Sequence, residues 1–96
     1  MSLDELLNRH RDAIYALAGK YGVSNVRVFG SVARRSADED SDIDFLVDIQ
    51  PGTSLFDLGG LLSDLRTLLK CNVDVVTAKG LKPRIRQRVL NEAIQI

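Results

Sequence analysis

The segment from Asp42 to Ile49 constrains the fold more than any other part of this sequence. Along it, apolar and mostly acidic positions alternate in the two-residue period of a β-strand. One side of that strand carries Ile43, Phe45, Val47 and Ile49. The other side carries Asp42, Asp44, Leu46 and Asp48. The pattern therefore predicts a strand with one face in an apolar core and a largely acidic opposite face.

Helical and strand-like patterns follow one another through the rest of the chain. Apolar residues at helical spacing predict helices over 3–17 and 55–68, and Pro83 suits the first position of a last helix. Val26–Phe29 and Val73–Val76 are short and rich in β-branched residues, which predicts two further strands. The order helix, strand, strand, helix, strand, helix predicts an α/β (α+β) fold, a small mixed sheet with helices packed on one face.

Each predicted helix presents one apolar face to the expected core. The inward positions of the first helix are Leu3, Leu6, Leu7, His10, Ile14 and Leu17. Those of the second are Leu55, Leu58, Leu61, Leu62, Leu65 and Leu68. Those of the last are Ile85, Val89, Ala93 and Ile94. Ser2 and Glu5 have the form of a capping box for the first helix, and Thr53 or Ser54 is expected to cap the second.

Length and composition limit what else the chain can contain. Its 96 residues predict one domain spanning 1–96, and 13 basic against 13 acidic residues give a net charge of zero, so bulk charge does not predict polyanion binding. The single cysteine, Cys71, excludes an intrachain disulfide. An acidic beginning and the lack of a long apolar run predict a cytoplasmic protein without a membrane segment.

Acidic residues concentrate between Asp38 and Asp48, where six of the thirteen acids fall. Asp42 and Asp44 leave the same face of the predicted strand, so their charges repel unless a cation lies between them. Carboxylate oxygens are the ligands that Mg²⁺ prefers. A solvated turn explains 38–40 better, and an EF-hand is excluded because its glycine and glutamate positions are not matched.

Asp74 is the one acidic residue in Val73–Val76, a segment that otherwise has the composition of a core strand. If Val73 and Val75 face the helices, Asp74 faces the opposite side of the sheet. Should this strand neighbour the one that carries Asp42 and Asp44, three carboxylates would converge and could hold two metal ions. The alternative, an edge-strand acid that discourages aggregation, is equally open on these grounds.

Gly30 and Ser31 follow a predicted strand directly and precede a polar stretch with room for one or two helical turns. Backbone N–H groups and a hydroxyl at such a turn can bind a phosphate, and glycine permits a close approach. The sequence contains no Walker P-loop motif. Arg34 and Arg35 are close enough in sequence to add phosphate contacts, although solvated arginines are the simpler interpretation.

The combination of these motifs closely resembles the nucleotidyltransferase superfamily of the DNA polymerase β type. Ten residues separate Ser31 from Asp42. The stretches Phe29–Arg34 and Ser41–Val47 are similar to those of its minimal nucleotidyltransferases, the MNT family. The resemblance continues through 73–77 and 82–86, and so it covers about residues 23–96.

Membership of this family would imply specific roles for the residues that match. The implied catalytic residues, which are also the implied ligands of two Mg²⁺ ions, are Asp42, Asp44 and Asp74. The implied nucleotide-binding residues are Gly30, Ser31 and Arg34. Asp74 would also help to activate the attacking hydroxyl, and the implied reaction transfers AMP from ATP to an acceptor with release of pyrophosphate. Arg35 stands where the family commonly has glycine.

The acceptor is expected to be another protein, because 96 residues leave no room for a second substrate-holding domain. Minimal members of the family are typically paired with a helical HEPN-domain protein, often an RNase toxin. The resemblance thus implies an antitoxin that adenylylates a tyrosine of its HEPN partner. The alternative is a catalytically inactive antitoxin that neutralises the same partner by binding alone.

A basic stretch near the end of the sequence raises nucleic-acid binding as a third interpretation. Its residues are Lys79, Lys82, Arg84, Arg86 and Arg88. Positions 84 and 88 would share a helix face, whereas 86 would not, so a solvated surface is as good an explanation. The chain has few aromatic residues for base stacking. Direct nucleic-acid binding is therefore the least favoured of the three functions.

Overall fold

The computed structural model describes residues 3–30, 33 and 42–96. Four α-helices, four strands and a 3₁₀ turn, Ala78–Gly80, account for most of these residues. In chain order the elements are α1 (Leu3–Arg9), α2 (Arg11–Lys20), β1 (Val23–Phe29), β2 (Ile43–Ile49), α3 (Leu55–Leu69), β3 (Val73–Val76), α4 (Pro83–Glu92) and β4 (Ile94–Gln95).

The four strands form one mixed sheet in the order β3-β2-β1-β4. β1 is antiparallel to both β2 and β4, whereas β2 and β3 are parallel. The parallel pair is joined through α3, and the two edge strands are joined through α4. The predicted mixed sheet is therefore confirmed, with β4 as an additional edge strand.

The main core lies on one face of this sheet, beneath α1, α2 and α3. Ile43, Phe45 and Val47 of β2 all belong to it and are at most 1% exposed. Its buried residues from the helices are Leu3, Leu7, Ile14, Ala18, Leu61, Leu65 and Leu69. The prediction of helices packed on one face is thus confirmed for these three. Leu46, which alternation directs to the other face, is also fully buried, so that face is partly covered as well.

Three details differ from the sequence prediction. The predicted first helix is divided in two at His10, which is half-buried, and α2 begins at Arg11. Leu55 was expected in the core but is 84% exposed, because it lies in the first turn of α3, before the buried positions begin at Leu61. Ile94 was expected on the inner side of the last helix but belongs to β4, since Ala93 is already extended.

The N-terminus of α3 is fixed by a capping box. Asp57 N–H donates to Ser54 Oγ (3.3 Å), and Ser54 N–H donates to the Asp57 carboxylate (2.9 Å). This confirms Ser54, rather than Thr53, as the cap. The capping box expected at Ser2, and the polar turn expected over 31–40 except for Ala33, lie outside the described residues.

Candidate active site

The sheet places Asp44 and Asp74 side by side. They are register partners in the parallel β2–β3 pair, where neighbouring strands lie about 4.8 Å apart. Ile43 and Val73, the preceding partners, are both buried in the main core. Because successive side chains alternate between faces, Asp44 and Asp74 both leave the face opposite that core. The sequence left open whether the strands of Asp44 and Asp74 are neighbours, and the structure shows that they are.

Asp42 lies immediately before β2 and is exposed. The N–H of Ile43 donates to Asn72 O (3.0 Å), which ties this part of the chain to the start of β3. Burial raises the pKa of the Cys71 thiol, and the negative charge of Asp42 raises it further. Asp42 therefore lies at the same end of the parallel pair as Asp44 and Asp74.

Gly30 brings the end of β1 against Asp44. Its neighbour Phe29 is the register partner of Asp44, and Gly30 itself has a φ of +73°. A Cβ atom at this position would lie 2.6 Å from Asp44 Oδ2. Glycine therefore suits this position for two reasons, because the backbone is left-handed and because a Cβ would displace the Asp44 carboxylate.

A fourth carboxylate, Glu92, contacts the same turn. The N–H of Gly30 donates to Glu92 Oε2 (3.3 Å) in a partly buried hydrogen bond. This residue was not among the predicted site residues. β4 pairs Arg27 with Gln95 and Val28 with Ile94, and continuing that antiparallel register places Gly30 opposite Glu92. No sequence pattern indicated this pairing, because β4 is only two residues long.

Within the described parts of the chain, no three His, Cys, Asp or Glu side chains are close enough together to hold a metal ion. The Oδ1 of Asp74 accepts a hydrogen bond from the N–H of Val75 (3.0 Å). Grouped carboxylates repel one another unless a cation is bound. The donor chemistry of these carboxylates and the shared strand register of Asp44 and Asp74 nevertheless fit Mg²⁺.

Two of the predicted phosphate-binding residues, Ser31 and Arg34, lie outside the described residues, as does Arg35.

In the basic stretch near the end of the sequence, the Arg86 side chain makes hydrogen bonds within the fold. It donates to Ala78 O (2.8 Å) and Leu81 O (3.0 Å), which holds the 3₁₀ turn against α4. The neighbouring basic residues Lys79, Lys82, Arg84 and Arg88 are exposed.

Comparison with known proteins identifies the family. The sequence profile described as nucleotidyltransferase domain matches residues 7–96, and the chain belongs to this family. A Thermococcus cleftensis protein named protein adenylyltransferase MntA is 36% identical over 94 residues, which cover 98% of this chain and 92% of that protein. A Methanocaldococcus jannaschii protein with the provisional name protein adenylyltransferase MJ0435 is 39% identical over 90 residues, covering 94% and 97%. The chain is therefore a nucleotidyltransferase.

Solved structures agree with this assignment. One that is described provisionally as a minimal nucleotidyltransferase superposes with a TM-score of 0.86 at 47% identity, covering 100% of this chain and 97% of that one. The resemblance to minimal nucleotidyltransferases is thereby confirmed. A crystal structure of a toxin–antitoxin with AMP-PNP has a TM-score of 0.73 at 22% identity, covering 88% and 69%, and shows that the fold is shared.

Proposed function

We propose that Asp42, Asp44 and Asp74 hold two Mg²⁺ ions beside a phosphate-binding turn at Gly30 and Ser31. The observation that carries this proposal is the position of Asp44, which is the register partner of Asp74 and also lies so close to Gly30 that a Cβ there would displace its carboxylate. Arg34 is proposed as a further contact to the nucleotide.

The reaction proposed for this site is transfer of AMP from ATP to a protein hydroxyl. The acceptor oxygen forms a bond to the α-phosphorus, the bond from that phosphorus to the bridging oxygen of pyrophosphate breaks, and the hydroxyl proton passes to a base. Asp74 is suited to accept that proton because it is exposed at the edge strand of the sheet, where an acceptor can approach. Mg²⁺, when bound, stabilises the charge that develops on the phosphate oxygens.

Gly30 and Ser31 are proposed to orient the β- and γ-phosphates, so that the leaving pyrophosphate lies opposite the incoming hydroxyl. The end of a strand with glycine in a left-handed conformation suits this role, because backbone N–H groups there can turn towards an anion. Asp44, on the neighbouring strand, places a carboxylate ligand for the metal beside the turn that is proposed to bind the phosphates.

The acceptor that we propose is a tyrosine of a HEPN-domain toxin, which makes this chain an antitoxin. Support comes from the relative named protein adenylyltransferase MntA and from the toxin–antitoxin crystal structure that shares the fold.

We also propose that residues 1–96 form a single minimal nucleotidyltransferase domain that works in the cytoplasm. In the part of the chain that the structure describes, no helix has the length and apolar character to cross a bilayer.

A catalytically inactive antitoxin that acts by binding is the second candidate. Phe56 and Leu55 favour a binding role, because they are 92% and 84% exposed in the first turn of α3. Large apolar side chains exposed to this degree are typical of surfaces that contact another protein. Binding and catalysis are compatible, so the question is whether neutralisation of the partner needs the carboxylates.

The two candidates are separated by incubating the purified toxin–antitoxin pair with Mg²⁺ and ATP labelled on the α-phosphate. We expect label on the toxin with the native chain and none with Asp42→Asn/Asp44→Asn, which keeps size and removes charge. Asp12→Asn, an exposed carboxylate on α2, is the control for loss of charge alone. Full neutralisation of the toxin by the double variant, without label, would show that binding alone suffices.

A further inference from the structure

We infer that Arg88 binds the β- and γ-phosphates of the nucleotide, as a residue that α4 contributes to the site. This inference rests on the proposed function, because it assumes that the turn at Gly30 and Ser31 orients those phosphates. Its direct basis is the hydrogen bond from the N–H of Gly30 to Glu92 Oε2 (3.3 Å), which shows how close α4 comes to the turn. Arg88 precedes Glu92 by one helical turn on α4.

α4 packs on the face of the sheet that carries the acidic residues of the proposed site. Val89 of this helix is 2% exposed but does not belong to the main core beneath α1, α2 and α3. Leu46 is also buried outside that core, and it shares a face of β2 with Asp44 because the two residues are two positions apart. The burial of Val89 therefore places α4 on the same face as Asp44.

Arg88 lies on the side of α4 that is nearer to the turn. With 3.6 residues per turn, its position is rotated about 40° from that of Glu92 and about 100° from that of the buried Val89. Residues four positions apart on a helix have Cβ atoms about 5–6 Å from each other. The exposed Arg88 side chain therefore starts beside a residue that contacts Gly30, and from there it can extend to a phosphate bound at the turn.

Arg88 also has the chemistry that a phosphate contact requires. Its guanidinium group presents N–H donors in a planar fork that matches the oxygens of a phosphate. No ion pair or hydrogen bond joins this side chain to another of the residues that the structure describes. Arg86 differs in this respect, because it donates to Ala78 O and Leu81 O and so stabilises the fold. Arg88 is thus available to a ligand, whereas Arg86 is not.

The test measures binding by calorimetry in the presence of Mg²⁺, with a non-hydrolysable ATP analogue and AMP as the probes. Arg88→Gln removes the charge and keeps much of the side-chain length. We expect this variant to bind the triphosphate about tenfold more weakly than the native chain, the effect of losing a charge-assisted hydrogen bond at a partly exposed site. We expect its AMP affinity to be unchanged, because AMP lacks the β- and γ-phosphates.

Arg84→Gln is the matched control. Arg84 is also an exposed arginine of α4, but it lies one turn farther from Glu92 than Arg88 does. The control removes the same charge, and we expect it to bind the triphosphate as the native chain does. Because both arginines are exposed, both variants should keep the native Tm. An equal loss of affinity in the two variants would assign the effect to the overall charge of α4 and would overturn the inference.

The remaining outcomes separate this inference from the proposed function. Native triphosphate affinity in Arg88→Gln, or an equal loss of affinity for AMP, would overturn the inference while the nucleotide site stands. Absence of nucleotide binding from the native chain would overturn the proposed function itself. A loss that is confined to the triphosphate and to Arg88→Gln would support both.

Discussion

Replacing Gly30 by alanine is expected to disturb the arrangement of the site more than the stability of the fold. The φ of +73° would cost an alanine about 1–2 kcal/mol, which corresponds to a fall in Tm of roughly 4–16 °C for a chain of this size. In addition, the new Cβ would lie 2.6 Å from Asp44 Oδ2, so the carboxylate must retreat by at least about 0.4 Å to reach 3.0 Å. A displacement of this order is expected to reduce AMP transfer roughly 10- to 100-fold.

Two other glycines provide controls for the separate components of this effect. Gly22 has the same φ of +73°, and a Cβ there would lie 2.5 Å from Thr53 Oγ1, so Gly22→Ala repeats both the strain and the crowding in another part of the chain. Gly52 has a φ of +92° with nothing within 4 Å of a Cβ, so Gly52→Ala repeats the strain alone. Both should lower Tm and leave the transfer rate of the folded protein unchanged.

The assay follows transfer of α-labelled AMP to the partner protein, at a temperature below the Tm of every variant. We expect Gly30→Ala to lose activity out of proportion to its loss of stability, and Gly22→Ala to lose stability alone. Equal activity of these two variants, after correction for the folded fraction, would refute the argument that Gly30 is needed to place Asp44.

Three further substitutions test individual contacts. Arg86→Met should lower the free energy of unfolding by about 1–2 kcal/mol in a urea titration, because the carbonyl groups of Ala78 and Leu81 lose their donor, while nucleotide binding stays unchanged. Leu46→Ala should cost about 2–4 kcal/mol in the same titration, since this side chain is 0% exposed. The Tyr21 hydroxyl donates to Asp64 (2.6 Å), and this hydrogen bond raises the pKa of the phenol above 10.0. Because the protonated form is favoured in the folded state, native protein should be more stable than Tyr21→Phe at pH 8, and the difference should shrink as pH rises above 10.0.

The sheet was predictable from the sequence because its strands follow a simple periodic pattern. The alternation along Asp42–Ile49 identified which side chains face the core, and Ile43, Phe45 and Val47 are all buried there. The burial of Leu46 on the opposite face could not be foreseen in the same way. It depends on what covers that face, and periodicity within one strand carries no information about this.

Parts of the site could not be predicted because they depend on pairing between segments that are distant in sequence. The pattern around Asp74 predicted which face of the sheet it occupies but not which strand lies beside it, and only the parallel register with β2 places it beside Asp44. Glu92 gave no signal at all, because its contact with Gly30 arises from a two-residue strand at the far end of the chain. The division of the first helix at His10 was also missed, since the apolar spacing continues through that residue.

The most direct test of the central claim is a crystal structure of the chain with Mg²⁺ and a non-hydrolysable ATP analogue. The account predicts oxygens of Asp42, Asp44 and Asp74 about 2.1 Å from Mg²⁺, with the triphosphate against the Gly30 turn and Asp74 released from the N–H of Val75. A nucleotide bound away from Gly30, or metal ions without Asp44 and Asp74 among their ligands, would contradict it.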